Sequence, residues 1–130
     1  MFNYPDLDIY LEAKRLAIEF HAMSLKLPKF ELFETGSQIR RSSKAVTAMI
    51  AEGYVRRRYK LDFIKYLIYA IAECDETIVH LDAIYDTNSS TNPELYLELK
   101  TAYVSLTKKI NKYTQWVEEK YKWVPNFPGT

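Results

Sequence analysis

The sequence predicts an all-α fold, an antiparallel up-down four-helix bundle occupying the whole chain as one domain, on three observations. Four segments carry apolar residues at alternating steps of four and three, the repeat that aligns side chains on one helical face. Three clumps of helix-breaking residues separate them. No stretch alternates with the period of two that a strand requires. Helices of this length joined by short connections stack antiparallel on their neighbours.

The first helix is expected over about residues 6–27. Ile9, Ala13, Leu16, Phe20, Met23 and Leu27 fall on one stripe, Asp6 or Asp8 is placed to cap the first turn, and Pro28 closes the segment. The second is expected over about 37–52, with Ile39, Ser42, Val46 and Met49 as a small, mixed seam. Ala45, Ala48 and Ala51 allow a neighbour to approach closely, and Gly53 reads as a left-handed stop. Because Thr35-Gly36-Ser37 lies early in this segment, its start is open between Glu31 and Ser37.

The third segment, about 59–86, is the strongest. Ile64, Leu67, Ile71, Cys74, Ile78, Leu81 and Tyr85 form an unbroken repeat, and Phe63, Tyr66 and Ala70 widen it toward a second neighbour. The polar run from Asp86 to Asn92 is a loop by composition. Pro93 fits the first position of a fourth helix, about 93–119, with Asn92 as its cap. Leu95, Leu99, Ala102, Leu106, Ile110, Tyr113 and Val117 carry that helix, and the aromatic and proline-rich tail, 121–130, cannot continue it.

With 130 residues the chain is long enough to bury a core without disulfides. Cys74 is the one cysteine, so no intrachain disulfide is possible, which fits a reducing, cytoplasmic setting. The start, Met1-Phe2-Asn3-Tyr4-Pro5-Asp6, lacks the basic and apolar regions of a secretory signal, and charges interrupt every apolar run, so no membrane association is expected.

Charge is segregated. Between Gln38 and Lys60 stand Arg40, Arg41, Lys44, Arg56, Arg57, Arg58 and Lys60 against Glu52 alone, a local charge of +6 in a chain whose net charge is +1. Arg40 and Lys44 share a helix face and Arg41 sits to one side. Three arginines at the start of a helix oppose its macrodipole, an arrangement that makes sense where an anion such as a phosphate arrives. Tyr54, Tyr59 and the arginines can supply stacking surfaces for bases. The plain alternative is a solvated, charged turn. About 20 Å of helix separates the two basic clusters, so they make one surface only as a long stripe or across subunits.

Catalytic constellations are poor. His21 and His80 fall on different helices, and Glu73, Glu76 and His80 lack the paired Glu-x-x-His motifs of a di-iron bundle. Glu76 and His80 read as an ordinary same-face pair, and Cys74 as a core residue rather than a nucleophile. No metal or cofactor is expected, and the chain is read as non-enzymatic. Aromatic residues are plentiful: Tyr66, Tyr69, Tyr96, Tyr103, Tyr113, Trp116, Tyr121 and Trp123 either widen the core or, the preferred reading, are buried between subunits.

Leu27-Pro28-Lys29-Phe30-Glu31, then Gln38-Ile39-Arg40-Arg41-Ser42, then Ile50-Ala51-Glu52-Gly53-Tyr54 resemble the four helix bundle proteins, also called 23S rRNA intervening-sequence proteins or S23 ribosomal proteins. Lys60 through Leu67 and Glu76 through Leu81 extend the likeness into the third helix. Gln38, Arg40, Arg41, Glu52 and Gly53 match the family motif by position. Met49 stands where the family usually has Asn, and Ala72-Glu73 where it usually has Gly-Ser. The resemblance implies an antiparallel bundle and assembly into a homopentameric barrel. A structurally similar accessory protein of diversity-generating retroelements binds nucleic acid and a reverse transcriptase.

Together these readings lead to a nucleic-acid-binding homo-oligomer, with RNA favoured over DNA, that grips phosphates through Arg40, Arg41, Lys44, Arg56, Arg57, Arg58 and Lys60. Glu52 serves there as an internal partner for an arginine. The alternative is a scaffold that recruits an acidic or nucleic-acid-handling protein.

Overall fold

In the computed structural model, which describes residues 7–125, four long helices surround one apolar core and no strand occurs among the described residues. They are α1 (Asp8–Ser24), α3 (Thr35–Val55), α4 (Lys60–Asp86) and α5 (Pro93–Lys120), with a single-turn helix α2 (Lys29–Leu32) between the first two. α1 packs on α3 and α5, and α4 packs on the same pair, so α1 and α4 occupy opposite corners of the bundle.

Helix starts and stops follow local chemistry. Asn92 accepts the Leu95 N–H at 3.0 Å, with Pro93 in the first turn of α5. At α1 the cap position is Leu7, with no side-chain bond, and Asp8 already lies inside the helix. Asp6 lies outside the described residues. α1 ends at Ser24, short of the expected Leu27, and Pro28 takes the cap position of α2 instead of closing α1. α4 closes in a Schellman motif: Asn88 takes the left-handed conformation (φ 59°), its N–H reaches Tyr85 O and the Ser89 N–H reaches Ile84 O.

Two expectations need correction. Gly53 does not stop α3, which runs through it to Val55. A Cβ there would sit 3.1 Å from Tyr66 Cβ and 3.3 Å from Phe63 O, so the glycine lets α3 and α4 close on each other. The aromatics are mostly internal. Tyr103 and Tyr121 are buried, Tyr96, Tyr113 and Trp123 pack against the core, and Tyr103 meets Phe20 edge to face at 4.9 Å. Only Tyr69 and Trp116 of that set are substantially exposed. The exposed apolar side chains on the long helices are mainly aliphatic, with Leu11 and Ile18 on α1 and Leu61, Ile68 and Val79 on α4, while Phe30 and Phe33 are exposed at and beside α2.

The core stripe of α4 centres slightly off the expected line. Phe63, Leu67, Ala70, Cys74, Thr77, Leu81 and Ile84 are buried, while Ile64, Ile71 and Ile78 are half-buried along one flank. A helix wedged between two neighbours buries the bisector of its apolar arc. One interior polar contact joins two helices: Thr77 Oγ1 lies 2.8 Å from Ser42 Oγ on α3 and 2.8 Å from Glu73 O on its own helix.

The upper end of the bundle is tied by a buried carboxylate. Glu31 on α2 accepts the Ser89 hydroxyl at 2.6 Å and the Thr35 N–H at 3.1 Å. The Ser89 bond, foremost, holds its carboxyl below the ordinary glutamate range. The Schellman turn of α4 thus places the hydroxyl that α2 requires.

Candidate nucleic-acid interface

Seven basic residues were expected to share a surface, and the fold separates them into groups with different occupations. Arg40 turns inward across the start of the α1–α3 connection. Its Nη1 donates to Ser24 Oγ at 3.0 Å and its Nη2 to Leu32 O at 2.8 Å. Gly36 leaves room for this: a Cβ there would lie 2.9 Å from Glu31 O and 3.3 Å from Arg40 Nη1. Arg40 therefore clamps α2 against the end of α1.

Arg41 reaches the opposite neighbour. It donates to Glu76 and lies 3.6 Å from Glu73 on α4, and Gln38 accepts its Nε at 3.4 Å. The arginine bond holds Glu76 below the ordinary carboxylate range, while burial raises Glu73. Glu76 also lies 3.3 Å from His80, one turn on. These groups lock α3 to α4, and among the described residues no cluster of His, Cys, Asp and Glu forms a metal site. Burial pushes the Cys74 thiol up to about 12, which suits a core side chain rather than a nucleophile. Lys44 lies on the α1 side of α3, on the rim of a groove of about 410 Å³ lined by Ala17, Ile18 and Thr47.

The α3–α4 turn holds the remaining four. Arg56 pairs with Glu52, Nη2 to Oε1 at 2.8 Å and Nε to the same oxygen at 3.1 Å, and lies 5.2 Å over the Tyr66 ring. Glu52 is thus a partner for Arg56. Arg57 donates to Tyr54 O at 2.9 Å and stacks 4.3 Å above the Tyr54 ring. Arg58 is exposed, 5.8 Å over Tyr59 and 5.0 Å over Trp123. Lys60 opens α4 beside them.

Sequence reasoning missed the part played by the tail. Tyr121 is buried with its ring 5.2 Å from Phe63, edge on, and this anchor delivers Trp123 to Arg58. The turn is consequently a basic surface whose guanidinium groups lie over aromatic rings, of which Tyr54 is buried and Tyr59 exposed. Each such contact is worth about 0.5–1 kcal/mol at an exposed site. Neither Arg58 nor Lys60 has a carboxylate partner among the described residues, so both remain available to an anion.

Comparison with known proteins agrees with this architecture. A crystal structure of a protein of unknown function, from the S23 ribosomal protein family of Bacteroides thetaiotaomicron, superposes with a TM-score of 0.75 at 20% identity. The match covers 82% of this chain and 98% of that one, and establishes the shared fold. No curated protein matches. The family model for the 23S rRNA-intervening sequence protein matches residues 5–112. On that match the chain belongs to the 23S rRNA-intervening sequence protein family.

Proposed function

We propose that this protein is a non-catalytic nucleic-acid-binding bundle that grips the phosphates of structured RNA through its α3–α4 turn and works as a homo-oligomer. The observation that carries the reading is the turn itself: Arg56, Arg57, Arg58 and Lys60 in close succession, three of them held on aromatic rings. Guanidinium groups fixed in this way lose less freedom on meeting a phosphate, and exposed rings beside them suit unpaired bases. The family description, which ties these proteins to ribosomal RNA, favours RNA over DNA.

Of the basic residues expected from sequence, Arg40 holds α2 against the end of α1, and the exposed Arg41 is engaged by Glu73 and Glu76 of α4, so the surface centres on the turn. A single turn offers few contacts. Repeating it around an assembly of copies, five by the resemblance noted above, raises the local positive potential severalfold. Self-association is supported by two separate aliphatic faces, on α1 and on α4, at opposite corners of the bundle.

The test compares RNA binding by wild type and by Arg58→Glu/Lys60→Glu, with Lys108→Glu/Lys112→Glu as a control of equal charge change. The turn variant should lose at least tenfold in affinity and the control far less. Equal losses would mean that net charge alone attracts the RNA. Absence of binding in wild type would redirect the turn to an acidic protein partner.

A further inference from the structure

Arg58 has a different setting from its neighbours in the α3–α4 turn. Arg56 donates to Glu52, and Arg57 to Tyr54 O. No carboxylate among the described residues pairs with the Arg58 guanidinium. It lies over two rings instead, 5.8 Å from the centre of Tyr59 and 5.0 Å from that of Trp123. Both rings are positioned by the fold. Tyr59 precedes α4 with its backbone held on both sides: its N–H donates to Arg56 O at 2.8 Å and its carbonyl accepts the Phe63 N–H at 3.0 Å. Its ring is 62% exposed. Trp123 is half-buried against the core, two residues beyond the buried Tyr121. Two rings from distant parts of the chain thus converge on one exposed cation.

A guanidinium held only by exposed rings is easily exchanged. Stacking of a base on an aromatic side chain is worth more than a cation–π contact at an exposed site. A phosphate oxygen, in turn, is a stronger partner for a guanidinium than a ring is. A nucleotide improves both contacts at once, its base taking the rings and its phosphate taking the arginine. Lys60 and the exposed Lys122 flank the same rings in sequence and add charge for the neighbouring phosphates.

We propose that Tyr59 and Trp123 form a stacking site for one unpaired base of the bound RNA, the base taking the position now held by the Arg58 guanidinium while Arg58 turns to that nucleotide's phosphate. A base inside a duplex is already stacked on both faces and cannot enter without being extruded. The turn therefore selects loops and bulges over continuous duplex, the regions where RNA exposes its bases. The inference rests on the phosphate-contacting role proposed above and names the feature of the RNA that this surface reads.

Titration of the full chain with two RNA hairpins at low salt tests it. One hairpin carries an adenine loop; the other has the same stem and an abasic loop, which keeps every phosphate and removes the bases. Wild type should bind the adenine loop about tenfold more tightly. Tyr59→Ala and Trp123→Ala should each lose most of that preference and keep their affinity for the abasic hairpin, with helicity checked by circular dichroism. Trp123→Phe, which retains a ring, should retain the preference. In a Trp116→Phe background Trp123 is the sole tryptophan, and its emission should be quenched by the adenine loop but not by the abasic one. Equal affinity of wild type for the two hairpins, or a preference that survives both alanine variants, would overturn the stacking site and leave the phosphate contacts standing. Binding of neither hairpin would overturn the phosphate-contacting role and the stacking site together.

Discussion

Arg40, Arg41 and Arg58 are the same residue type and do three different things. Arg40 makes two hydrogen bonds to Ser24 and Leu32, and replacing it strands both acceptors. Arg40→Ala should cost about 1–3 kcal/mol in urea unfolding, whereas Arg58→Ala, at an exposed site, should stay within about 0.5 kcal/mol. Equal effects would contradict the division between structural and surface arginines. The sequence shows where the positive charge lies and not where it points. Arg40's partners are a hydroxyl on another helix and a carbonyl left free at the end of α2, and neither has a periodic signature. Cys74 was legible because it sits on an apolar repeat. Its thiol should resist a thiol reagent at pH 8 in the folded protein and react at once in denaturant.

At the scale of elements, the four long helices were readable from their apolar repeats, and the caps at Asn92 and Pro93 from residue type. Close approaches were not, because they depend on what lies opposite. Gly36 and Gly53 both sit inside α3, where glycine lowers intrinsic helix propensity by about 1 kcal/mol relative to Ala. Opposing contacts reverse that preference: Gly36→Ala would drive a methyl to 2.9 Å from a backbone oxygen, and should destabilise by about 1–3 kcal/mol. A more stable Gly36→Ala variant would show that α2 yields freely. The Glu31–Ser89 tie, formed by α2 and the turn after α4, carries a pH dependence. A carboxyl held low adds stability that is fully present above its unfolded value, about 4.3, and lost as pH falls through its folded value. Glu31→Gln should therefore flatten the acid limb of the stability profile below about pH 4 and lower stability at neutral pH. An unchanged acid limb would mean the tie does not persist in solution.

For the whole molecule, the arrangement of exposed groups matters more than their number. α1 and α4 stand at opposite corners, each with an aliphatic outer face, and the basic turn lies at one end of the bundle next to the start of α4. Aromatic abundance pointed toward an interface in the sequence, yet those rings chiefly fill the wide core and anchor the tail. The aliphatic face of α4 was hidden because the inward repeat of the same helix dominates its pattern. In an assembly the turns are multiplied, so affinity for a polyanion should rise with subunit number and fall steeply with salt.

The most direct measurement is fluorescence anisotropy of a labelled structured RNA with the wild-type protein across a series from 50 to about 200 mM salt, where each phosphate contact on a duplex contributes a slope of about −0.9. The α3–α4 turn as a phosphate-contacting surface predicts a log–log slope of about −3 or steeper, since four basic residues meet at each turn. A flat salt dependence, or no binding at the lowest salt, would contradict it.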